Sequence, residues 1–225
     1  MIRLCAADVV GIVVLGAHCD DIAIGAGGTL LTICAQRPGV RVDALVLSGG
    51  GTEREDEERA ALAAFCPGAE VDLTVLKLPD GRLPAHWDEA KSALEELRSR
   101  TDPDVLLAPR TGDAHQDHRG LAELARTVWR DHLILGYEIV KWDGDLGRLP
   151  AYVPLTEAVA ADKVRLLQEH YFSQRHRAWY DREAFLGLAR IRGIECHEHY
   201  AEAFELTKTT LDLSARKESP PCVCS

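Results

Sequence analysis

The chain has 225 residues, 46% of them hydrophobic and 28% charged, with a formal net charge of −10 and seven cysteines. That length suits one α/β domain with a substantial core, and the composition is ordinary for a globular protein. The negative charge argues against a nucleic-acid partner and against docking on anionic lipid, since both need clustered Lys and Arg; no apolar run approaches the roughly 18 to 20 residues of a membrane span.

Val9 to Leu15 is an apolar run rich in β-branched residues, which reads as a buried parallel strand. It runs straight into Gly16-Ala17-His18-Cys19-Asp20-Asp21. Reading it as a cleaved leader would discard that polar cluster, so the mature chain is expected to start near Met1. Gly25-Ala26-Gly27-Gly28 lets a helix pack tightly against its neighbours, and Thr29 to Gln36 continues it. Arg41 to Leu47 reads as the second strand, ending at Ser48 and three glycines that permit unusual backbone angles near a ligand. A helix follows from Glu53 to Phe65, with Ala61, Leu62 and Phe65 on one face and a charged face opposite.

Val71 to Leu78 is the third strand, Trp87 to Ser99 the next helix, Val105 to Ala108 the fourth strand, and Gly120 to Arg130 a helix just beyond His118. This alternation implies right-handed crossovers and an α/β fold: a Rossmann-like three-layer sandwich with a largely parallel central sheet. Beyond Leu133 the pattern is less regular. Trp142-Asp143-Gly144-Asp145 and Pro150 to Pro154 read as rim loops of the kind that set substrate choice. Glu157 to His170 and Asp181 to Arg190 read as helices, and Ser214 to Ser225 as a disordered tail, leaving residues 1–213 as one domain.

The chemistry gathers at two strand ends. A catalytic zinc takes three imidazole and carboxylate ligands, keeps a fourth position for water, and needs a free carboxylate nearby to move protons. His18, Asp21 and one histidine of His115-Gln116-Asp117-His118 fit the ligand roles, for zinc or another divalent ion, and Asp20 is then the free carboxylate. Two adjacent aspartates after a strand also fit helix capping. Two metal-competent clusters at two strand ends favour the metal. A nucleotide-binding reading of the glycine-rich turn lacks GxGxxG spacing at the strand end and puts acids where phosphate needs positive potential. His197 and His199 flank Glu198 and invite a second metal site, but the alternation equally suits a plain strand or loop. His86, His132, His170 and His176 read as surface or packing residues. The scattered cysteines look like reduced thiols of a cytoplasmic protein, and Cys222-Val223-Cys224-Ser225 lacks the polybasic run that would accompany a prenylation box.

The first cluster, continuing through Gly25-Ala26-Gly27-Gly28-Thr29-Leu30, resembles the AHPDDE…GxGG pattern of the zinc-dependent PIG-L or LmbE-like de-N-acetylases, and the second resembles that family's HPDH. Arg54, Glu57, Ala61 and Phe65 fit its RxxE…A…L spacing, and Leu78-Pro79-Asp80-Gly81 its PDG stretch. The resemblance runs from about Val9 to Phe204. It implies His18, Asp21 and His118 as zinc ligands, Asp20 as general base, His115 as an electrophilic or proton-donating partner oriented by Asp117, and Arg54 and Asp80 against sugar hydroxyls. The implied reaction removes the N-acetyl group from an N-acetylglucosamine-type sugar or conjugate. Amide cleavage with a larger acyl group, and a non-catalytic binding homologue, are the alternatives, and a homo-oligomer stays open. Cys19 replaces the family's Pro, a change in turn rigidity or a spot open to oxidation. Ile22 replaces its Glu, for which Glu138 is the candidate compensation.

Overall fold

The computed structural model describes residues 9–210; the expected start at Met1, the Ser214 to Ser225 tail and the Cys222 to Ser225 segment lie outside them. Seven strands form one sheet in the order β3-β2-β1-β4-β5-β7-β6. Strands β1 (Gly11–Gly16), β2 (Arg41–Ser48), β3 (Glu70–Leu78), β4 (Val105–Pro109) and β5 (Ile134–Tyr137) run parallel. β7 (Tyr200–Leu206) is antiparallel to both β5 and the edge strand β6 (Ala151–Leu155). The helices are α1 (Asp21–Gln36), α2 (Glu53–Phe65), α3 (Trp87–Arg100), α4 (Gln116–Val128), α5 (Glu157–His170) and α6 (Arg182–Glu195).

Period-two alternation in the central strands builds the two cores. Ile12 and Val14 of β1 and Val105 and Leu107 of β4 face one cluster, with Leu30 of α1, Phe65 of α2 and Leu167 of α5. Val13, Leu15, Leu106 and Ala108 face the other, with Leu94 of α3 and Leu121 of α4. Both faces of β1, β2 and β4 are covered, which is why they read as largely apolar runs. The three-layer α/β architecture is as the sequence implies. Three strands escaped that reading. β5 and β6 have only four and five residues, β6 carries Pro154 where an edge strand tolerates it, and the charged Glu202 and Glu205 interrupt β7. Pro150 to Pro154 is therefore mostly edge strand, not loop.

β1 lies between β2 and β4, so the connections leave it in opposite directions and a crevice opens at its carboxyl end, the usual binding position in such sheets. The glycines of α1 bring that helix close in. A Cβ at Gly25 would lie 2.1 Å from the ring of Tyr137, and one at Gly28 would lie 2.6 Å from Leu155 and 3.0 Å from Glu202. Glu202 uses this bare stretch to accept from the Gly28 and Thr29 N–H groups (2.8 and 2.7 Å), while its buried partner Lys163 donates to the Ile24 carbonyl at 2.6 Å.

Tyr137 is fully buried and its hydroxyl donates to the Leu15 carbonyl at 2.5 Å, so the ring has nowhere to retreat. Gly25→Ala should therefore lower the melting temperature by several degrees: overpacking of about 1–3 kcal/mol outweighs the helix-propensity gain of at most about 1 kcal/mol. Gly187→Ala in α6, where a Cβ meets open space, should raise it. Equal shifts in thermal unfolding of the two variants would reject this account of the glycines.

Candidate metal centre and cleft

β1 carries the chain to His18, and Asp20 then turns it with φ 112° and ψ −24°, a left-handed conformation costly for a residue with a Cβ. The turn is held from two sides. The Asp21 Oδ2 atom accepts from the N–H groups of Ala17 and His18 (3.0 and 2.9 Å), and Glu58 Oε2, reaching up from α2, accepts from the Asp20 N–H at 2.9 Å. The Asp20 side chain makes no capping bond to α1, although Asp20 stands at the N-cap position. The capping reading thus applies to neither aspartate in its ordinary form, because Asp21 reaches backwards to the strand end.

β4 ends on the neighbouring strand, and His115 caps α4, its Nδ1 accepting from the Asp117 N–H at 3.3 Å. That bond leaves the proton of a neutral His115 on Nε2. α4 thus begins at Gln116 rather than Gly120, and places His118 in its first turn. His18 Nδ1 and His118 Nε2 come within 3.1 Å of each other. Asp21 joins them, Oδ2 at 3.4 Å from His18 Nδ1 and Oδ1 at 3.3 Å from His118 Nε2. His115 stands alongside, its ring centroid 4.8 Å from His18 and 4.7 Å from His118.

The outer nitrogens of the two facing rings meet carboxylates. His18 Nε2 lies 3.2 Å from Asp117 Oδ2 and 3.0 Å from Asp80 Oδ1, and His118 Nδ1 lies 3.0 Å from Asp113 Oδ1. His18 Nε2 is hydrogen-bonded to Asp117 and His118 Nδ1 has Asp113 at ion-pair distance; with both neutral rings protonated on these outer nitrogens, the inner nitrogens present lone pairs to each other across 3.1 Å. Such a pair needs a positive charge between it. A tetrahedral ion with bonds of about 2.0–2.1 Å has ligand atoms about 3.3 Å apart; the two ring nitrogens are near that spacing, and each has a different Asp21 oxygen near it, so the residues fit a divalent metal.

The charges agree. Burial alone lowers the His118 pKa, but Asp21 and Asp113 outweigh it and raise it to about 9; His18 is likewise raised above its ordinary value, burial being overcome by Asp21 and Asp117. Burial raises and the two histidines more strongly lower Asp21, leaving it well below the carboxylate range. Without metal the centre holds protons, which binding must displace. Among the described residues the groupings whose ligand atoms all lie close enough for one ion are His18, His115 and His118, and His18, Asp80 and Asp117; Asp21 belongs to neither. We favour His18, Asp21 and His118 because the second ring nitrogens of this pair of histidines are both backed by carboxylates, whereas His115 Nδ1 is occupied by a backbone N–H. His197 and His199 join no such grouping among the described residues, and His199 pairs with Glu157 at 2.8 Å.

Asp20 lies beside this cluster with Oδ2 3.2 Å from Arg54 Nη2. Burial raises its pKa to about 6, against the pull of Arg54. His115 moves the other way: burial and the neighbouring His118 and His18 lower it, so its ring is neutral. The Arg54 guanidinium is engaged with Asp20 and, at 3.4 Å, with Glu57. The Asp117 carboxylate meets His18 and the N–H groups of Gly81 and Leu83 (2.7 and 3.0 Å) rather than the His115 ring, so orientation of His115 comes from the Asp117 backbone. The Asp80 side chain is 77% exposed at the cleft.

Two expectations are corrected. Glu138 does not replace the missing acid at Ile22: it is buried in a two-pronged pair with Arg192, both contacts 2.7 Å, and Ile22 is itself buried in the core. The buried carboxyl beneath Asp20 is Glu58, which also accepts from the Tyr171 hydroxyl at 2.7 Å and which burial pushes up to about 8. Cys19 is no reactive thiol: it is buried, burial pushes its pKa up, and its Sγ donates to the Ser48 carbonyl at 3.4 Å. Asp113, Glu58 and Lys141, which bridges Asp113 to Asp145, went unread in the sequence; only Asp113, two residues before His115, had a local signal.

A cleft of about 180 Å³ opens over the cluster, lined by His18, Asp20, Arg54, Asp80 and His115 on one side and by Trp142, Gln174, Arg177 and Trp179 on the other. Comparisons with known proteins identify a family. The sequence model of the family described as "GlcNAc-PI de-N-acetylase" (PIG-L) matches residues 13–129, just over half the chain. The uncharacterized deacetylase YaiS of Escherichia coli is 30% identical over 140 residues, spanning 57% of this chain and 73% of YaiS. The fold is similar to that of the N,N'-diacetylchitobiose deacetylase of Pyrococcus horikoshii (TM-score 0.71, 19% identity, 89% of this chain and 84% of that one). It is also similar to that of GalB, the 4-carboxy-2-hydroxymuconate hydratase of Pseudomonas putida (TM-score 0.70, 18% identity, 91% and 99%), so the architecture alone does not fix the reaction. On the match across both halves of the metal centre, the chain belongs to the PIG-L family of deacetylases.

Proposed function

We propose that the protein is a zinc-dependent hydrolase that removes the N-acetyl group from an N-acetylglucosamine-type sugar or sugar conjugate, releasing acetate and a free amine. The observation that carries this reading is Asp20: a carboxylate beside the ligand cluster but outside it, paired with Arg54, with a pKa near 6. Such a group is ionised at neutral pH yet basic enough to take a proton. The names of the relatives, two of them deacetylases, support the same reaction class.

His18, Asp21 and His118 would hold the ion. A divalent metal there supplies Lewis acidity to the amide carbonyl and acidity to water. Asp20 accepts the proton of the water that attacks the carbonyl carbon. His115 Nε2–H donates a hydrogen bond to the carbonyl oxygen as negative charge develops on it. The protonated Asp20 carboxyl then gives its proton to the leaving nitrogen as the C–N bond breaks, because a neutral imidazole is far too weak an acid for that step. Asp117 and Asp113 orient the ligand histidines, Arg54 positions Asp20, and the exposed Asp80, whose Oδ1 meets His18, would turn its other oxygen to a ring hydroxyl. Four buried free thiols, Cys19, Cys34, Cys66 and Cys196, support a reducing cytoplasmic setting. Acetate release from a panel of N-acetylated sugars by metal-loaded protein tests the reading; no hydrolysis at full occupancy would leave a binding homologue.

Three outcomes are expected. Purified protein should carry about one divalent ion per chain by elemental analysis, and His18→Ala, Asp21→Ala and His118→Ala should each lose it; full occupancy in all three would overturn the ligand set. Asp20→Asn should keep the ion while turnover falls by about 10²- to 10⁴-fold, and near-normal turnover would remove Asp20 as the base. Arg54 lowers the Asp20 pKa, so Arg54→Ala should raise it and move the acid limb of the kcat/KM profile to higher pH, with Arg54→Lys restoring most of the shift. An unmoved limb would mean that Arg54 does not govern Asp20.

A further inference from the structure

We propose that Trp142 is a platform for a second pyranose ring, so that the preferred substrate is a disaccharide or longer glycan rather than a single N-acetylated sugar. This rests on the deacetylase reading above. Trp142 sits in the connection between β5 and β6, and its indole is 69% exposed. Of the exposed large hydrophobic residues among those described, it alone lines the metal cleft; Val10, Val71, Leu146, Phe172, Ile191 and Ile194 do not. An exposed indole forgoes considerable apolar burial, and its flat face suits the C–H face of a sugar ring.

The connection is fixed on both sides of Trp142. Lys141 Nζ donates to Asp145 Oδ2 at 2.8 Å and to Asp113 Oδ2 at 3.1 Å, and Asp145 Oδ2 also accepts from the Ala114 N–H at 2.7 Å. Arg110 bonds the Asp145 carbonyl as well. Between these anchors Gly144 has open space around it, so Trp142 stands on a short tip with rigid shoulders. The same anchor leads inward, since Asp113, which receives Lys141, lies 3.0 Å from the His118 ring. A ring stacked on Trp142 is therefore held at a set position relative to the reacting amide.

The opposite wall is suited to the polar edge of such a ring. Gln174, itself buried, accepts from Arg177 Nε at 2.7 Å, which aims the rest of the exposed guanidinium at the cleft. The cleft encloses about 180 Å³ and is open to solvent, so a second ring on the exposed Trp142 stands at its rim.

The test compares N-acetylglucosamine with N,N'-diacetylchitobiose on metal-loaded wild-type, Trp142→Ala and Trp142→Phe proteins. Trp142→Ala should lower kcat/KM for the disaccharide at least tenfold, mainly through KM, and change the monosaccharide by less than twofold; Trp142→Phe should keep most of the wild-type value. Equal losses on both sugars, or no loss on either, would overturn the platform. If wild-type protein hydrolyses neither sugar, the deacetylase reading fails on these substrates, and titration calorimetry with the disaccharide decides the platform separately. Binding to wild type that weakens tenfold in Trp142→Ala upholds it, and equal or absent binding overturns it.

Discussion

Two imidazole nitrogens held 3.1 Å apart, each ring with a carboxylate within 3.2 Å of its outer nitrogen, form an arrangement that positive charge between them relieves. Much of the architecture serves to create that confrontation. His18 comes from the end of β1 and His118 from the helix after β4, a hundred residues later, and the two strands are neighbours because the sheet order reverses at β1. The carboxylates behind them come from the loop after β4 and from the first turn of α4. The Asp117 carboxylate also binds the Gly81 and Leu83 amides, which fixes the loop carrying Asp80 in the same step.

The charge balance of the site follows from this. Asp21, Asp113, Asp117 and Asp80 surround the two histidines and bias the centre towards cations, while Asp20, a residue away from Asp21, is governed by burial, Arg54 and Glu58. Adjacent aspartates thus titrate in opposite directions from the same ordinary value. On the proposed reading, that separation lets one serve as a permanent ligand and the other as a proton carrier.

The sequence made the parallel half of the fold legible, because β1, β2 and β4 are buried on both faces and their helices have clear apolar faces. β5, β6 and β7 are short, carry Pro154 or charged residues, and depend on pairing with distant partners, so no local pattern marks them. The site divides in the same way. His18, Asp20, Asp21, His115, Asp117 and His118 interrupt apolar runs and stand out as residue types. Glu58 looks like one more charge on a solvated helix face, yet it is buried beneath Asp20 because α2 packs beside α1 and Tyr171 covers it. Glu138 illustrates the converse: an acid at a suggestive place whose partner, Arg192, arrives from α6 and draws it away from the metal. Side-chain type locates chemistry, but which acid reaches which atom is decided by long-range packing.

The bonds from Asp21 Oδ2 to the Ala17 and His18 amides involve no metal. The strand end is therefore shaped by its own polypeptide before any ion arrives, and the ligands do not have to be gathered by the ion from a disordered chain. In contrast to small zinc modules that fold only when loaded, a centre shaped this way would, on the proposed zinc reading, exchange its ion while the sheet and helices stay in place. On that reading, ion supply would set the fraction of active molecules without setting the fraction folded.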